Sequence, residues 1–223
     1  MSLRHRRSPP AWLAWLLALG LATQGLWASD ALRMAQAAQR LGPRAVAALP
    51  ALQALLQQGS GGDDESQLAA VNTFFNWRIV FAEDSEVWGQ ADYWASPLEL
   101  LAQGRGDCED YAIAKYFSLL AMGMPVARLR LVYVRAQIGA DPQAQQAHMV
   151  LAYYAKPDAE PLILDNLISS VRPASRRPDL TPVFSFNSEG LWQGVGAQSA
   201  GDPQARLSRW RDVLAKARAE GFI

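Results

Sequence analysis

The chain has 223 residues, of which half are hydrophobic, and its 21 basic and 21 acidic side chains give no net charge. Because no excess of positive charge is present, nucleic acid is excluded as an expected partner. The length and the hydrophobic content predict one globular domain with a sizeable core.

The first 28 residues have the order of a secretory signal peptide. Three arginines precede an apolar stretch at 11–21, and small and polar residues follow as far as Ala28, a candidate cleavage point. We therefore expect a signal at 1–28, with an uncleaved anchor as the alternative, and a single domain at 29–223 outside the cytoplasm. Removing the signal takes away three arginines and no acid, which leaves a net charge of −3.

The segment that follows is predicted to be helical. Residues 30–57 are rich in Ala, Leu, Gln and Arg, but Gly42-Pro43 and Pro50 interrupt them, which indicates short broken helices. A polar, glycine-containing loop is expected at 58–67. The apolar positions of 68–80 then predict a helix that packs against the core.

An aromatic loop at 88–97 contains two tryptophans, Trp88 and Trp94, and leads into a short helix predicted at 98–103. Ser96 is the expected N-cap of this helix, and a proline follows it in the first turn. The two indoles either fill space against the next helix or line a substrate cleft.

The remainder of the chain predicts a helix followed by an antiparallel sheet. Apolar residues dominate 111–122, and Gly123 with Pro125 then ends the helix. Runs rich in Val, Ile, Leu and Tyr predict strands at 128–135, 148–154 and 162–165, with shorter ones at 182–186 and 191–193. An amphipathic helix is expected at 204–219. The predicted fold class is therefore α+β.

The only cysteine of the chain, Cys108, is the strongest chemical signal in the sequence. A lone cysteine in an exported protein cannot form an internal disulfide. An inert, buried thiol is the alternative, but Asp107, Glu109 and Asp110 are unfavourable neighbours for an apolar core. A thiol at the start of a helix gains from the unpaired backbone N–H groups and the helix dipole. We therefore predict that Cys108 is a nucleophile.

A nucleophilic thiol needs a base, and the chain has two histidines, of which His5 lies in the predicted signal. His148, 40 residues after Cys108, is thus the candidate base. Asp165 ends the next apolar run, and adjacent antiparallel strands would place it beside His148. Taken singly, the histidine could be a packed core residue and the aspartate a turn former. Together the three residues predict an acyl-transfer triad.

The acidic residues around Cys108 oppose this chemistry, because negative charges raise the pKa of a thiol. A bound cation would resolve the conflict. Several oxygen ligands within four residues suit Ca²⁺ better than zinc. The alternative is a solvated acidic cap at a helix start.

Four segments make the sequence similar to the bacterial transglutaminase-like cysteine proteinases: Trp94–Glu99, Gly106–Tyr116, His148–Leu151 and Leu164–Asn166. The resemblance covers roughly 68–186. It implies a papain-like, transglutaminase-type core, in which a nucleophile helix packs on an antiparallel sheet. Within the domain we accordingly expect an N-terminal helical part at 30–80 and a catalytic core at about 81–195.

The resemblance also implies roles for individual residues. Its Cys-His-Asp triad corresponds by motif to Cys108, His148 and Asp165. Its calcium dependence, with acidic ligands flanking the cysteine, corresponds to Asp107 and Glu109, and Asp110 matches the same motif.

The function implied by the resemblance is cleavage of a large surface adhesin near its N-terminus, which releases the adhesin and disperses a biofilm. The implied location is the periplasm. The implied partner is an inner-membrane receptor that binds cyclic di-GMP in the cytoplasm and sequesters the protease. Two alternatives stay open, namely transglutaminase-type acyl transfer to an amine and a catalytically silent binding module that uses the aromatic loop.

Overall fold

The computed structural model describes residues 28–139, 141, 144–196 and 198–223. The predicted signal, including His5, lies outside these residues except for Ala28. Within the described part of the chain, no helix combines the length and the apolar character needed to cross a lipid bilayer.

The helices lie at 28–41 (α1), Pro43–Gly59 (α2), Asp64–Arg78 (α3), Asp84–Val87 (α4), Pro97–Gln103 (α5), Cys108–Ala121 (α6), Pro203–Arg206 (α7) and Ser208–Glu220 (α8). The strands lie at Val80–Phe81 (β1), Arg105–Gly106 (β2), Leu129–Gln137 (β3), Gln145–Tyr153 (β4), Leu162–Leu164 (β5), Arg172–Pro173 (β6), Leu180–Phe186 (β7), Leu191–Gln193 (β8) and Ser199–Gly201 (β9).

Strands β3 to β9 form one sheet in the order β6-β5-β4-β3-β7-β8-β9, and every neighbouring pair in it is antiparallel. Its longest pairing joins β3 to β4, from Leu129 opposite Tyr153 to Gln137 opposite Gln145. The short strands β1 and β2 form a separate parallel pair. The prediction of an α+β fold with an antiparallel sheet is confirmed.

Helix α6 packs against β3 and β4 of the sheet and against the helices α3 and α5. All its residues from Asp110 to Leu119 are buried. A helix that is apolar on most of its faces must be covered on most of its faces. This burial fixes the position of the first residue of the helix, Cys108.

Several boundaries differ from the predicted ones. Pro50 lies inside α2, so only Gly42 separates α1 from α2. The backbone hydrogen bond that the proline forgoes is offset by the burial of the leucines around it, Leu49, Leu52 and Leu56. Helix α3 starts earlier than predicted, because Asp63 accepts a hydrogen bond from the Ser66 N–H at 2.9 Å and caps the helix.

The C-terminal helical segment is divided at Leu207 into α7 and α8, whereas one helix was predicted. Trp210 of α8 is fully buried and stacks on Phe117 of α6, with ring centroids 5.6 Å apart. It also meets Tyr116 and Phe186 edge to face. The last helix is thus joined to both the central helix and the sheet.

Replacing Trp210 with alanine should lower the free energy of unfolding by about 3–5 kcal/mol, because a fully buried aromatic cluster loses its central ring. Trp77 provides a matched control, since its side chain is 81% exposed on α3. Trp77→Ala should change the free energy of unfolding by no more than about 0.5 kcal/mol. Urea unfolding of both variants checks this, and equal losses would contradict the role given to Trp210.

Candidate active site

The local structure around Cys108 is set by a short connection. Ser96 is the N-cap of helix α5, as predicted. Gly104 is its C-cap and has a left-handed φ of 64°. A residue with a side chain would be strained in this conformation. The chain then pairs with β1 through Arg105 and Gly106 and enters α6 at Cys108. Few degrees of freedom remain between the two helices.

The Cys108 thiol is half-buried. Its S–H donates to Oε2 of Glu109 at 2.9 Å, and the nearby backbone N–H of Met149 acts to lower the pKa of the thiol. Met149 follows His148 on β4. The candidate nucleophile and the candidate base therefore belong to the same contact between α6 and β4.

His148 and Asp165 are both buried and lie side by side. The His148 Nε2–H donates to Oδ1 of Asp165 at 2.8 Å. Their proximity follows from the pairing of β4 with β5, in which Leu151 is opposite Leu164. Because Nε2 is engaged by the carboxylate, Nδ1 is the nitrogen available to exchange a proton with a thiol.

The Asp165 carboxylate is held as an anion. Burial by itself raises its pKa, but the hydrogen bond and charge of His148, the Leu167 N–H and Arg177 outweigh burial and hold the pKa at about 2. The backbone is fixed as well, since Asn76 of α3 donates to the Asp165 carbonyl oxygen at 2.7 Å. The negative charge beside the imidazole is therefore permanent at neutral pH.

On the other side of Cys108 lies a cluster of carboxylates. Asp84, Asp92 and Glu109 form one group, and Asp84, Asp107 and Asp110 form another. Within each group one ligand oxygen per residue lies within 4.8 Å of the others. All three acidic residues predicted from the sequence lie in this cluster.

These carboxylates fit a cation. Oδ1 of Asp84, Oδ1 of Asp107 and Oδ2 of Asp110 are buried, and no described residue donates a hydrogen bond to them. The opposite oxygens of Asp84 and Asp110 accept from the Tyr93 and Ala95 N–H groups. Buried, unpaired carboxylate oxygens are costly, and a group of them is the ligand set that Ca²⁺ prefers.

The charge of the cluster acts on its own members and on the thiol. Burial and the charge of Glu109 raise the pKa of Asp84 to about 6. Burial, followed by the charges of Glu109 and Asp110, raises the pKa of Asp107. Burial and Glu109 also raise the pKa of the Cys108 thiol, which opposes formation of the thiolate. A cation among these carboxylates would offset both effects.

Asp84 and Asp92 were not predicted from the sequence. They reach the cluster through α4 and the aromatic loop, and the pairing of β1 with β2 that positions α4 has no strong sequence signal. The glycine at position 106 has a steric explanation. A Cβ at this position would lie 2.5 Å from Oδ2 of Asp110, so a larger residue would clash with the cluster.

The aromatic loop packs against the core. Trp88 lies against Tyr93 with ring centroids 4.2 Å apart, and Trp94 stacks on Phe186 at 5.7 Å. Lys216 of α8 donates to the Tyr93 hydroxyl at 2.7 Å and to the Trp94 carbonyl oxygen at 3.2 Å. Both indoles therefore have a packing role, and α8 helps to hold the loop.

A cysteine at the start of a helix, beside a histidine–aspartate pair on an antiparallel sheet, is the arrangement of papain-like and transglutaminase-like cysteine enzymes. A family model described as bacterial transglutaminase-like cysteine proteinase (BTLCP) matches residues 56–190, more than half of the chain. The chain belongs to this family of cysteine proteases.

Solved structures of a relative agree. LapG of Legionella pneumophila after EGTA treatment is 38% identical, with a TM-score of 0.73, over 84% of this chain and 97% of that chain. Calcium-bound LapG from the same organism is 37% identical, with a TM-score of 0.71, over 83% of this chain and 98% of that one. Curated proteins gave no significant match. The fold is accordingly the transglutaminase-like fold of LapG.

Lys115 is a buried base on α6 that the sequence did not single out. Its ammonium nitrogen donates to Oδ1 of Asn72 at 2.8 Å, and only 1% of the residue is exposed. Burial lowers its pKa to about 7, although the charge of Asp165 acts in the opposite direction.

This pKa gives the stability of the protein a defined pH dependence. Between about 7 and 10.5 the unfolded lysine holds a proton that the folded one has released, so the free energy of unfolding rises with pH in this window. Below a pH of about 7 the lysine is protonated in both states, so the folded protein bears the full cost of burying the ammonium charge. Lys115→Met should remove this rise. Unfolding of the two proteins at a series of pH values checks it, and parallel curves would contradict it.

Proposed function

We propose that the chain is a calcium-dependent cysteine endopeptidase of the periplasm. Cys108 is its nucleophile, His148 its general base and then acid, and Asp165 the group that orients the imidazole. One observation carries this proposal. The only thiol of the chain lies at the N-terminus of the buried helix α6, and α6 packs on β4, the strand that carries His148 of the buried His148–Asp165 pair.

The reaction follows from these positions. His148 Nδ1 accepts the proton of the Cys108 thiol, and Sγ attacks the carbonyl carbon of the scissile peptide. Backbone N–H groups at the start of α6 stabilise the oxyanion that forms. The imidazolium then gives its proton to the leaving amine, and a water activated by the same imidazole releases the acyl group. Asp165 keeps Nε2 protonated throughout, so Nδ1 stays available.

The proposed calcium ligands are Asp107, Glu109 and Asp110, joined by Asp84 and Asp92 from the preceding segment. The unpartnered buried oxygens of this cluster support the assignment, as does the existence of a calcium-bound LapG structure. Calcium bound there would neutralise the negative charge next to the thiol and order the helix start, and it would not act as the Lewis acid.

The proposed substrate is the N-terminal region of a large surface adhesin, whose release disperses a biofilm. The proposed partner is an inner-membrane receptor for cyclic di-GMP that sequesters the protease. Similarity to LapG along most of the chain supports both proposals. The arginine-led apolar segment before Ala28 supports export to the periplasm.

Incubation with the N-terminal region of a large adhesin from the same organism should produce a single cut, identified by mass spectrometry of new N-termini. Cys108→Ala should lower the rate by about six orders of magnitude, because the nucleophile is lost. His148→Gln should have a comparable effect. A Cys108→Ala rate near that of the wild type would end the triad assignment. A cross-linked product in the presence of an added amine would favour acyl transfer.

Calcium should both support cleavage and stabilise the fold. At a free concentration one hundred times its Kd, it should add about 2.7 kcal/mol to the free energy of unfolding. Asp84→Asn should weaken calcium binding about tenfold or more, since it removes a shared carboxylate. Asp158→Asn, an exposed acid outside the cluster, should leave the affinity unchanged. Calorimetric titration checks this, and wild-type affinity in Asp84→Asn would place the metal elsewhere.

A further inference from the structure

The two oxygens of the Asp165 carboxylate have different partners. Oδ1 accepts the His148 Nε2–H at 2.8 Å and the Leu167 N–H at 3.1 Å. Oδ2 lies 2.7 Å from Nη2 of Arg177 in an ion pair, and no described group donates a hydrogen bond of good geometry to it. The side chains of Arg177 and Asp165 are 4% and 0% exposed, so this ion pair is sheltered from water. Removing one partner of such a pair leaves the other charge buried and uncompensated.

Arg177 is itself held from the other side. Its Nε lies 3.0 Å from Oδ1 and 3.2 Å from Oδ2 of Asp179, and its Nη2 lies 2.7 Å from Oδ2. Its backbone N–H donates to the Ala174 carbonyl oxygen at 2.9 Å. A guanidinium fixed by a fork of hydrogen bonds keeps its positive charge in a defined position.

A second basic residue, Lys115, also lies within electrostatic reach of Asp165, whose charge acts to raise the pKa of the lysine. Its nitrogen, however, donates to Asn72 at 2.8 Å, and Asn72 in turn donates to the Ser169 carbonyl oxygen at 2.9 Å. Lys115 thus supports the segment that follows β5, whereas Arg177 contacts the carboxylate itself. Lys115 and Arg177 therefore stabilise different parts of the site.

We propose that Arg177 is a positioning residue for peptide cleavage: its guanidinium holds the Asp165 carboxylate at the angle at which Oδ1 receives the His148 Nε2–H. The inference rests on the proposed function, because it presupposes that the imidazole serves Cys108. Without Arg177 the carboxylate is free to rotate, and the imidazole loses the tautomer that leaves Nδ1 open to the thiol. Arg177 is buried and contacts the Asp165 carboxylate, so it acts on the imidazole through that carboxylate.

The test compares Arg177→Gln with Arg177→Lys and with a control, Arg128→Gln. Arg128 forms an ion pair of the same length, 2.7 Å, with Asp64 outside the site. With the adhesin N-terminal fragment as substrate, Arg177→Gln should lower kcat about 10- to 100-fold and leave KM within about twofold. Arg177→Lys, which keeps the charge, should recover part of kcat. Arg128→Gln should keep the wild-type kcat.

A second readout does not depend on cleavage. In protein labelled with ¹⁵N-histidine, the His148 ring signals are assigned by their loss in His148→Gln. The wild type should show the Nε2–H tautomer with a slowly exchanging ring proton, and Arg177→Gln should show mixed tautomers and faster exchange. A merely structural role would lower the melting temperature and leave kcat per folded molecule and the tautomer unchanged.

The outcomes separate this inference from the proposed function. Wild-type kcat and an unchanged tautomer in Arg177→Gln would overturn the role of Arg177 and leave the triad intact, provided that Cys108→Ala is inactive. An active Cys108→Ala would overturn the triad itself. Should Arg177→Gln fail to fold, Arg177→Lys and Asp179→Asn take its place. Each of these two variants should then lower kcat by less than the factor expected for Arg177→Gln and should change the His148 tautomer in the same direction. A wild-type kcat and a wild-type tautomer in both variants would overturn the inference.

Discussion

The candidate site depends on the burial of α6 against β3 and β4. Because the helix is covered on most of its faces, its first residue cannot shift without disturbing the core. The thiol of Cys108 is thereby held against the backbone of β4, one residue from His148. The pairing of β4 with β5 then brings Asp165 to the far side of the imidazole. A single packing contact thus aligns residues from three elements.

Buried carboxylates lie on both sides of this contact, and their pKa values are shifted in opposite directions. Asp165 is matched by Arg177 and by the imidazole, and its pKa falls to about 2. Asp107 and Asp110 have no such cation from the protein among their described contacts, and their pKa values rise. The negative charge of Asp165 is thus balanced by protein groups alone. The charges of Asp107 and Asp110 would be balanced by a bound cation, which is the physical argument for calcium.

The parts that could be predicted from the sequence are those with local signals. A lone cysteine at the start of an apolar helix, a serine cap before Pro97, an apolar run that begins at His148 and another that ends at Asp165 are visible in the chain. Asp84, Asp92 and Arg177 are not, because they reach the site through the β1–β2 pair and the connection between β6 and β7. Such long-range contacts depend on tertiary packing, which leaves no periodic pattern in one sequence.

The C-terminal helix extends the site beyond the region matched by the family model, which ends at residue 190. Glu220 of α8 accepts hydrogen bonds from the Ser96 hydroxyl and from the Leu98 N–H, and burial raises its pKa to about 7. Ala95, one residue before Ser96, donates its N–H to Asp110 of the carboxylate cluster at 2.7 Å. The position of α8 is thereby linked through two residues of one loop to the proposed calcium ligands. The tail of the chain, which carries the least diagnostic sequence, is for this reason part of the framework that holds the site.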